Sequence, residues 1–211
     1  NVLDIVNLYT IGTHPTNLPL NKGRHPLHWL ICLDTFHTVL SFFKMGIGID
    51  DGDIILKQKF KVKKKSNIND FNSEMCKASY IGMSEICNKV SSHKIQFTKQ
   101  DDKKSTFFRK RTFFDSLIDP RMSSTSIINH INSFCEPYHC ASLIIEKEIF
   151  KINKAIVIKS NNNLSEYGKV FFMCSDYIDM RVEDNTLRLY FKNKSKIIDD
   201  LRYVHTPTYY Y

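Results

Sequence analysis

The sequence shows no long apolar run, no paired-cysteine motif and no signal-peptide pattern, and we expect each absence to exclude a class of protein. No segment approaches the roughly 18 apolar residues that a membrane-spanning helix needs. The six cysteines are scattered without a CxxC pair, in a chain too large to need disulfide staples. We therefore expect reduced thiols in a cytosolic or nuclear protein that has no membrane partner.

Catalytic signatures are also scarce, because no Ser or Cys nucleophile motif and no Gly-rich phosphate loop is present. Eight histidines offer acid–base chemistry, but no spacing brings a pair together: His14, His25, His28, His37, His93, His130, His139 and His205. A zinc site from His130, Cys135, His139 and Cys140 is disfavoured, since adjacent side chains rarely reach one metal. These patterns predict no enzymatic activity, no cofactor and no metal.

What the chain does have is positive charge. Lys and Arg number 30 against 22 Asp and Glu, for a formal net charge of +8. Such a balance favours a polyanionic partner. The length of 211 residues suits one elaborated domain.

Two β-type runs dominate residues 27–65. The segments HWLICLDTFHTVLSFFKM and DIILKQKFKV are rich in aromatic and β-branched residues, and the turn signal GIGIDDGD lies between them. In the second run the period is two. One face carries Ile54, Leu56, Phe60 and Val62 with Gln58 as its only polar member, and the other carries Ile55, Lys57, Lys59, Lys61 and Lys63. The lysines either hold phosphate groups or guard a solvated strand against aggregation.

The remaining segments complete the predicted fold. A short helix is expected over residues 2–11, a helical insertion over 66–165, strands over 167–192 and a terminal helix over 195–204. This order predicts an all-β core, a five-stranded OB-fold Greek-key barrel with a long helical insertion between strands 3 and 4 and a C-terminal helix. We expect a single domain over 1–211, and a split α+β domain would give a similar order.

Five ordered motifs suggest a family. GRHPLHWLICLDTFHTV, GIGIDDGDIILKQKF, YGKVFF, RVEDNTLRLYF and LRYVHTPTYYY resemble the Stn family, the middle OB-fold subunit of the telomeric CST complex, similar to the middle subunit of replication protein A. The resemblance covers residues 1–62 and 167–211. It implies a nuclear, non-enzymatic subunit at chromosome telomeres that binds single-stranded DNA. Its implied partners are a small Ten-like OB-fold subunit, a larger CST OB-fold subunit, telomerase and DNA polymerase alpha-primase.

Candidate site residues follow from the strands and from the resemblance. Those predicted to contact nucleic acid, through phosphate or base stacking, are Lys57, Lys59, Lys61, Trp29, Tyr177, Arg109 and Lys110. Arg109 and Lys110 lie in the basic loop KQDDKKSTFFRKR, which suits nucleic acid or an acidic protein surface, or is a disordered insertion. Those that the resemblance places at a partner are Asp50, Asp51, Ile198, Leu201 and Tyr203.

Each partner-binding residue also has a simpler role. Asp50 and Asp51 suit turn formation, and the apolar stripe of the terminal helix suits packing against its own barrel. Two other functions remain open, a free-standing single-strand nucleic-acid-binding OB protein and a nucleic-acid-processing enzyme that uses histidines.

Overall fold

The computed structural model of the chain describes residues 9–158, 165–198, 201–205 and 207. Their contacts define two compact units, which we describe separately: unit 1 is Asn1–Leu30 with Thr35–Arg111, and unit 2 is Ile31–Asp34 with Thr112–Tyr211. The expectation of one domain stays a prediction. Most of the helix expected over 2–11 lies outside the described residues.

Unit 1 is built on a three-stranded antiparallel sheet. Its elements are β1 (Ile11–His14), β2 (Lys22–Gly23), α1 (Pro26–Cys32), β3 (His37–Lys44), β4 (Ile54–Lys61), α2 (Ile68–Ser91) and β5 (Phe107–Phe108). The sheet has the order β1-β3-β4, and β2 pairs with β5 in parallel. The hairpin of β3 and β4 confirms the expected turn between two strands.

The long helix α2 covers one face of this sheet. Asn67 caps it, accepting from the backbone N–H of Asp70 while the Asp70 carboxylate accepts from the Asn67 N–H. Leu40 and Phe42 of β3 pack with Ala78 and Ile86 of α2 in one buried cluster. The alternation in β4 is confirmed from Leu56 to Lys61, where the lysines are exposed and the residues between them are half-buried. It is wrong at Ile55, which is predicted on the lysine face but is buried in the cluster of β3 and α2.

The first predicted strand run is partly wrong. Residues 26–32 form α1, and only residues 37–44 form a strand. Pro26 stands at the first helical position, where its fixed φ favours a helix and its missing N–H costs nothing. Asp34, with φ of 55°, then redirects the chain before β3. Trp29 therefore lies on a helix rather than on a strand.

Unit 2 contains a five-stranded antiparallel sheet and one α-helix. Its elements are α3 (Ser124–Ser133), β6 (Ala141–Ile145), β7 (Glu148–Ile158), β8 (Val170–Met173), β9 (Tyr177–Arg181) and β10 (Thr186–Phe191). The strand order is β6-β7-β10-β9-β8. Ile127 and Ile131 of α3 pack in the same buried cluster as Leu187 and Leu189 of β10. The strand character expected over 167–192 is confirmed, but KVFFMCSDYIDMRV, expected as one strand, forms the two paired strands β8 and β9.

The predicted helical insertion over 66–165 is only partly helical. It contains α2 and α3, but SLIIEKEIF forms the hairpin of β6 and β7. Glu146 and Lys147 between these strands have φ of 48° and 71°. Two successive positive φ values are the signature of a tight turn that matches the twist of a hairpin, which explains the strand pairing.

The predicted terminal helix is wrong for the described residues 195–198 and 201–204, none of which is helical. Instead, the Val170 N–H donates to the Arg202 carbonyl and the Val204 N–H donates to the Gly168 carbonyl, both at 2.8 Å. The backbone thus pairs with a neighbouring segment in extended form. Val204 still reaches the core of unit 2, where it is 2 % exposed.

The OB-fold barrel is also wrong. The strands of residues 27–65 pair in the sheet of unit 1, whereas those of residues 167–192 pair in the sheet of unit 2. Among the described residues, β6 and β8 stand at opposite edges of the five-stranded sheet without pairing to each other. The architecture is mixed α/β. No helix in the described part of the chain is both long and apolar enough to span a bilayer.

Candidate active site

A histidine and an aspartate from distant parts of the chain meet in unit 1. His14 ends β1, and Asp50 lies in the turn between β3 and β4. His14 Nδ1 stands 3.3 Å from Asp50 Oδ2, and the two side chains are 5 % and 19 % exposed. The other ring nitrogen, Nε2, is 2.8 Å from the carbonyl oxygen of Asn21.

These contacts constrain the protonation of the pair. Because a carbonyl oxygen can only accept, Nε2 of His14 carries a proton directed at Asn21. Nδ1 then faces the carboxylate favourably only when the imidazole is doubly protonated or when Asp50 carries the proton. The pair therefore holds one transferable proton in a nearly buried position, which suits acid–base chemistry.

Glycine backbone brings Asp50 into place. The Gly23 N–H donates to Asp50 Oδ2 at 2.9 Å. Gly23 has φ of 99°, and a Cβ there would lie 2.5 Å from the Phe108 carbonyl oxygen. A Cβ on Gly52 would lie 1.5 Å from the Lys44 carbonyl oxygen, so only glycine permits this close approach of the turn to β3.

Gln100 supports the same turn from inside unit 1. Its Nε2 donates to the carbonyl oxygens of Asp50 and Gly52, both at 2.7 Å, and the residue is 6 % exposed. Gln100 reaches this position because Thr98, two residues before it, exchanges two backbone hydrogen bonds with Ile54 at the start of β4.

Sequence reasoning misses His14, Gly23 and Gln100. The spacing of the histidines can reveal only a second histidine near His14, whereas the actual partner of His14 is a carboxylate far along the chain. The available signals are a histidine shortly after the segment expected to be helical and an aspartate just after GIGI. Neither signal gives the distance between them.

The three predicted phosphate ligands lie along β4, on its solvent-facing side. Lys59 and Lys61 are exposed, opposite Val39 and His37 of β3. The Lys57 ammonium donates to Asn17 Oδ1 at 2.7 Å and to the Leu18 carbonyl at 2.6 Å. Desolvation of that ammonium lowers the pKa of Lys57 from its ordinary value. Contact of these lysines with nucleic acid stays a prediction.

Trp29, Arg109 and Lys110 come together in unit 1. The Trp29 indole N–H donates to the Arg109 carbonyl at 3.0 Å, and the Arg109 and Arg111 guanidinium carbons lie 5.1 and 5.0 Å from the Trp29 ring centroid. Phe108 stacks on Trp29 with a centroid distance of 5.9 Å. The indole faces are thus already in contact with protein groups, whereas Lys110 is exposed.

Tyr177 lies at the start of β9 in unit 2 and contacts Phe172 and Tyr190 at centroid distances of 5.5 and 5.7 Å. The Arg188 guanidinium lies 3.9 Å from its ring centroid. Asp179 accepts from Arg188 Nε and Nη2 at 2.8 Å each, and this hydrogen bond raises the pKa of Arg188 above its ordinary value. A stacking role for Tyr177 stays a prediction.

The predicted partner-binding residues do not form one surface element. Ile198 and Leu201 are half-buried against the core of unit 2. Tyr203, 37 % exposed, forms a β-bridge with Lys169. Asp50 belongs to the site above, and the neighbouring Asp51 carboxylate lies against Gly46 and Gly48 within the turn. Within the described segments no cluster of three or more His, Cys, Asp or Glu side chains suits a metal ion.

No protein-family model matches the chain, but individual curated proteins do. The bifunctional polymyxin resistance protein ArnA of Wigglesworthia glossinidia brevipalpis is 27 % identical over 168 residues, which cover 79 % of this chain and 25 % of that protein. The methionyl-tRNA formyltransferase of Prochlorococcus marinus is 25 % identical, over 80 % of this chain and 53 % of the relative. The chain spans between 25 % and 60 % of the length of the relatives it matches.

Solved structures point to the same group. The methionyl-tRNA formyltransferase from Clostridium thermocellum is 25 % identical with a TM-score of 0.59, over 72 % of this chain and 65 % of that one. WlaRD, a sugar 3N-formyltransferase solved in the presence of dTDP and 5-N-formyl-THF, is 21 % identical. Its TM-score is 0.64, over 88 % of this chain and 66 % of that one. The second likeness concerns the fold alone.

These findings correct the functional expectations. The resemblance to the Stn family is wrong, because the relatives and the structural neighbours are formyltransferases. The prediction of a non-enzymatic protein is wrong for the same reason. The predicted nuclear, telomeric location is also wrong. So are the predicted partners, namely the OB-fold subunits, telomerase, DNA polymerase alpha-primase and single-stranded DNA.

Proposed function

We propose that the protein transfers a formyl group from a reduced folate to a primary amine, with His14 and Asp50 at the reacting centre. The observation that carries the proposal is the 3.3 Å contact of these two side chains in a chain whose relatives are formyltransferases. The formyl group and the amine are proposed from the names of the relatives. A formylated folate is the donor that we propose, and 5-N-formyl-THF was present with the fold neighbour WlaRD.

The chemistry requires two proton movements. The amine nitrogen attacks the formyl carbon and must lose a proton, and the donor nitrogen must gain one as its bond to the formyl carbon breaks. An N-formyl donor supplies an activated carbonyl carbon. The protein must supply a base and an acid close to each other.

Asp50 suits the role of base. Its Oδ2 is held by the Gly23 N–H and faces His14 Nδ1, while Oδ1 makes no hydrogen bond with any described residue. Oδ1 is therefore available to accept a proton from an incoming amine. His14, with its second nitrogen directed at the Asn21 carbonyl, stabilises the charge of Asp50. Asp50 then returns the proton from Oδ1 to the leaving nitrogen of the donor.

The test uses full-length protein, labelled N-formyl-tetrahydrofolate and two acceptors, an aminoacylated tRNA and a nucleotide-linked amino sugar. We expect label to move to one of them. Asp50→Asn should lower kcat about 100- to 10,000-fold, the range that positioned acid–base groups contribute.

The control makes the same chemical change one residue along the turn. Asp51→Asn should retain the wild-type rate, because the Asp51 carboxylate does not contact His14. Absence of transfer to both acceptors by the wild-type protein, or equal rates for the two variants, would contradict the proposal.

A further inference from the structure

The turn that bears Asp50 has little support of its own. Ile47 and Ile49, which precede Asp50, are 99 % and 65 % exposed. Asp50 itself has φ of 52°, in the left-handed region that costs energy for a residue with a side chain. A backbone in this conformation persists only where its surroundings fix it.

The side chain of Gln100 supplies that fixation. Both carbonyls that it contacts can only accept, so its amide must present Nε2 to them and uses both N–H groups. The two carbonyls belong to Asp50 and Gly52, on either side of Asp51. A single buried amide thus clamps the backbone around the proposed base at two points.

Gln100 also gives up a hydrogen bond in this arrangement. Its Oε1 is buried and has no hydrogen-bond partner among the described residues. A buried amide oxygen without a partner costs free energy, so stability alone favours an apolar residue here unless the two bonds to the turn are needed. A requirement to hold Asp50 in position explains why the chain retains a glutamine whose Oε1 has no partner.

We infer that Gln100 is a positioning residue, which holds the Asp50 carboxylate against His14 by clamping the carbonyls of Asp50 and Gly52. The inference rests on the proposed function, because it gives Asp50 a role in formyl transfer. Gln100 hydrogen-bonds neither the Asp50 carboxylate nor the His14 ring, and it acts on them through the backbone of the turn.

The experiment replaces the amide in the full-length protein. Gln100→Met keeps the length and bulk of the side chain and removes both donors. We expect kcat for formyl transfer to fall about 10- to 100-fold, with KM for the acceptor within about twofold, because a misplaced base affects the reaction more than binding. Gln100→Asn is one methylene shorter but still carries an amide, so its kcat should lie between the values of Gln100→Met and the wild type.

The matched control is Gln58→Met on β4. The Gln58 amide donates only to the carbonyl of the adjacent Lys59, so this variant makes the same chemical change away from the turn. It should keep the wild-type kcat and KM. A Gln100→Met enzyme with wild-type kcat, or a loss shared equally by Gln58→Met, overturns the inference.

A second readout needs no activity. The 15N resonances of the His14 ring report its protonation and its contact with Asp50, and we expect them to change in Gln100→Met and to stay unchanged in Gln58→Met. Unchanged His14 resonances in folded Gln100→Met or Gln100→Asn protein overturn the inference even if the wild type is an active formyltransferase. If the wild type transfers no formyl group, the proposed function fails, and the resonances still decide whether Gln100 positions Asp50.

Discussion

At the scale of single residues, Asp184 ties the loop between β9 and β10 to the first turn of α3. Its Oδ1 accepts from the Ser124 backbone N–H at 2.6 Å, and its Oδ2 accepts from the Ser124 hydroxyl at 2.8 Å. Burial alone would raise the pKa of Asp184, but hydrogen bonds from Ser124, from its own backbone N–H and from Asn185 together hold that pKa below its ordinary value of 3.8. A carboxylate at a helix N-terminus is stabilised further by the helix dipole.

The sign of the pH dependence follows from this lowered pKa. The contribution of Asp184 to the free energy of unfolding is present in full above the ordinary carboxyl pKa and is lost as pH falls through the lowered pKa. We expect Asp184→Asn to reduce the free energy of unfolding by about 0.5 to 1 kcal/mol at pH 7. The difference from wild type should become smaller as pH falls below the ordinary carboxyl pKa, so it should be smaller at about pH 2 than at pH 7.

Urea unfolding at the two pH values measures both differences. Glu183→Gln serves as the control, because the adjacent Glu183 is exposed and its carboxylate makes no hydrogen bond to a described residue. Asp184→Asn should differ from this control at pH 7. A deficit of the same size at both pH values would show that the charge of Asp184 is not what stabilises α3.

At the scale of secondary-structure elements, the packing of α2 on β3 depends on one glycine. Gly82 lies in the middle of α2, where glycine normally weakens a helix by about 1 kcal/mol relative to alanine. Here a Cβ would lie 2.3 Å from Cε2 and 2.4 Å from Cζ of Phe42. Phe42 is fully buried at 0 % exposure, so the ring has little room to move. The close approach of helix and sheet therefore requires glycine.

We expect Gly82→Ala to destabilise the protein by about 1 to 3 kcal/mol, the usual cost of overpacking a core, despite the better helix propensity of alanine. Thermal or urea unfolding measures the change. Replacing Phe42 with the smaller Leu should relieve the clash, so Gly82→Ala should cost less in a Phe42→Leu background than in wild type. A stabilising Gly82→Ala variant would show that propensity outweighs the contact.

Elements are predictable from sequence where local pattern and tertiary context agree. The alternation of Leu56 to Lys61 predicts β4 because a half-buried strand has that period. PLHWLIC has the composition of a strand yet forms α1, since Pro26 begins a helix. The Ile198–Val204 stripe fits a helix, but the chain there pairs with residues 168–170 instead. The conformation of a short apolar segment depends on which other segment it packs against or pairs with, and amino-acid composition does not identify that segment.

The candidate site is less predictable than the elements. The sequence indicates the acidic turn of Asp50 and Asp51, but His14 and Gln100 reach Asp50 only through strand pairing. β1 brings His14 opposite Ser41 of β3, and the bridge of Thr98 with Ile54 brings Gln100 to the turn. Each of these pairings joins segments far apart in the chain, so no local period or motif encodes them. Short motifs do not contain this long-range information, and the resemblance inferred from them is to the wrong family.

At the scale of the whole molecule, the six cysteines behave as separate thiols. None of them forms a disulfide, and all six lie within the described residues. Cys76 and Cys87 are both exposed on α2, roughly 16 Å apart along the helix axis at 1.5 Å per residue. A disulfide needs Cα atoms within about 7 Å, so this pair cannot close within one molecule. Cys140 is buried, and Cys32, Cys135 and Cys174 have intermediate exposure.

We therefore expect two thiols of this chain to react quickly with a thiol reagent in the native state and all six to react after denaturation without reductant. Exposure controls access of the reagent, so Cys76 and Cys87 should account for the fast phase. The double variant Cys76→Ser/Cys87→Ser should lose that phase and titrate four thiols when denatured. Fewer than six reactive thiols in the denatured wild-type chain would reveal a disulfide and contradict the structure, in which all six thiols are free.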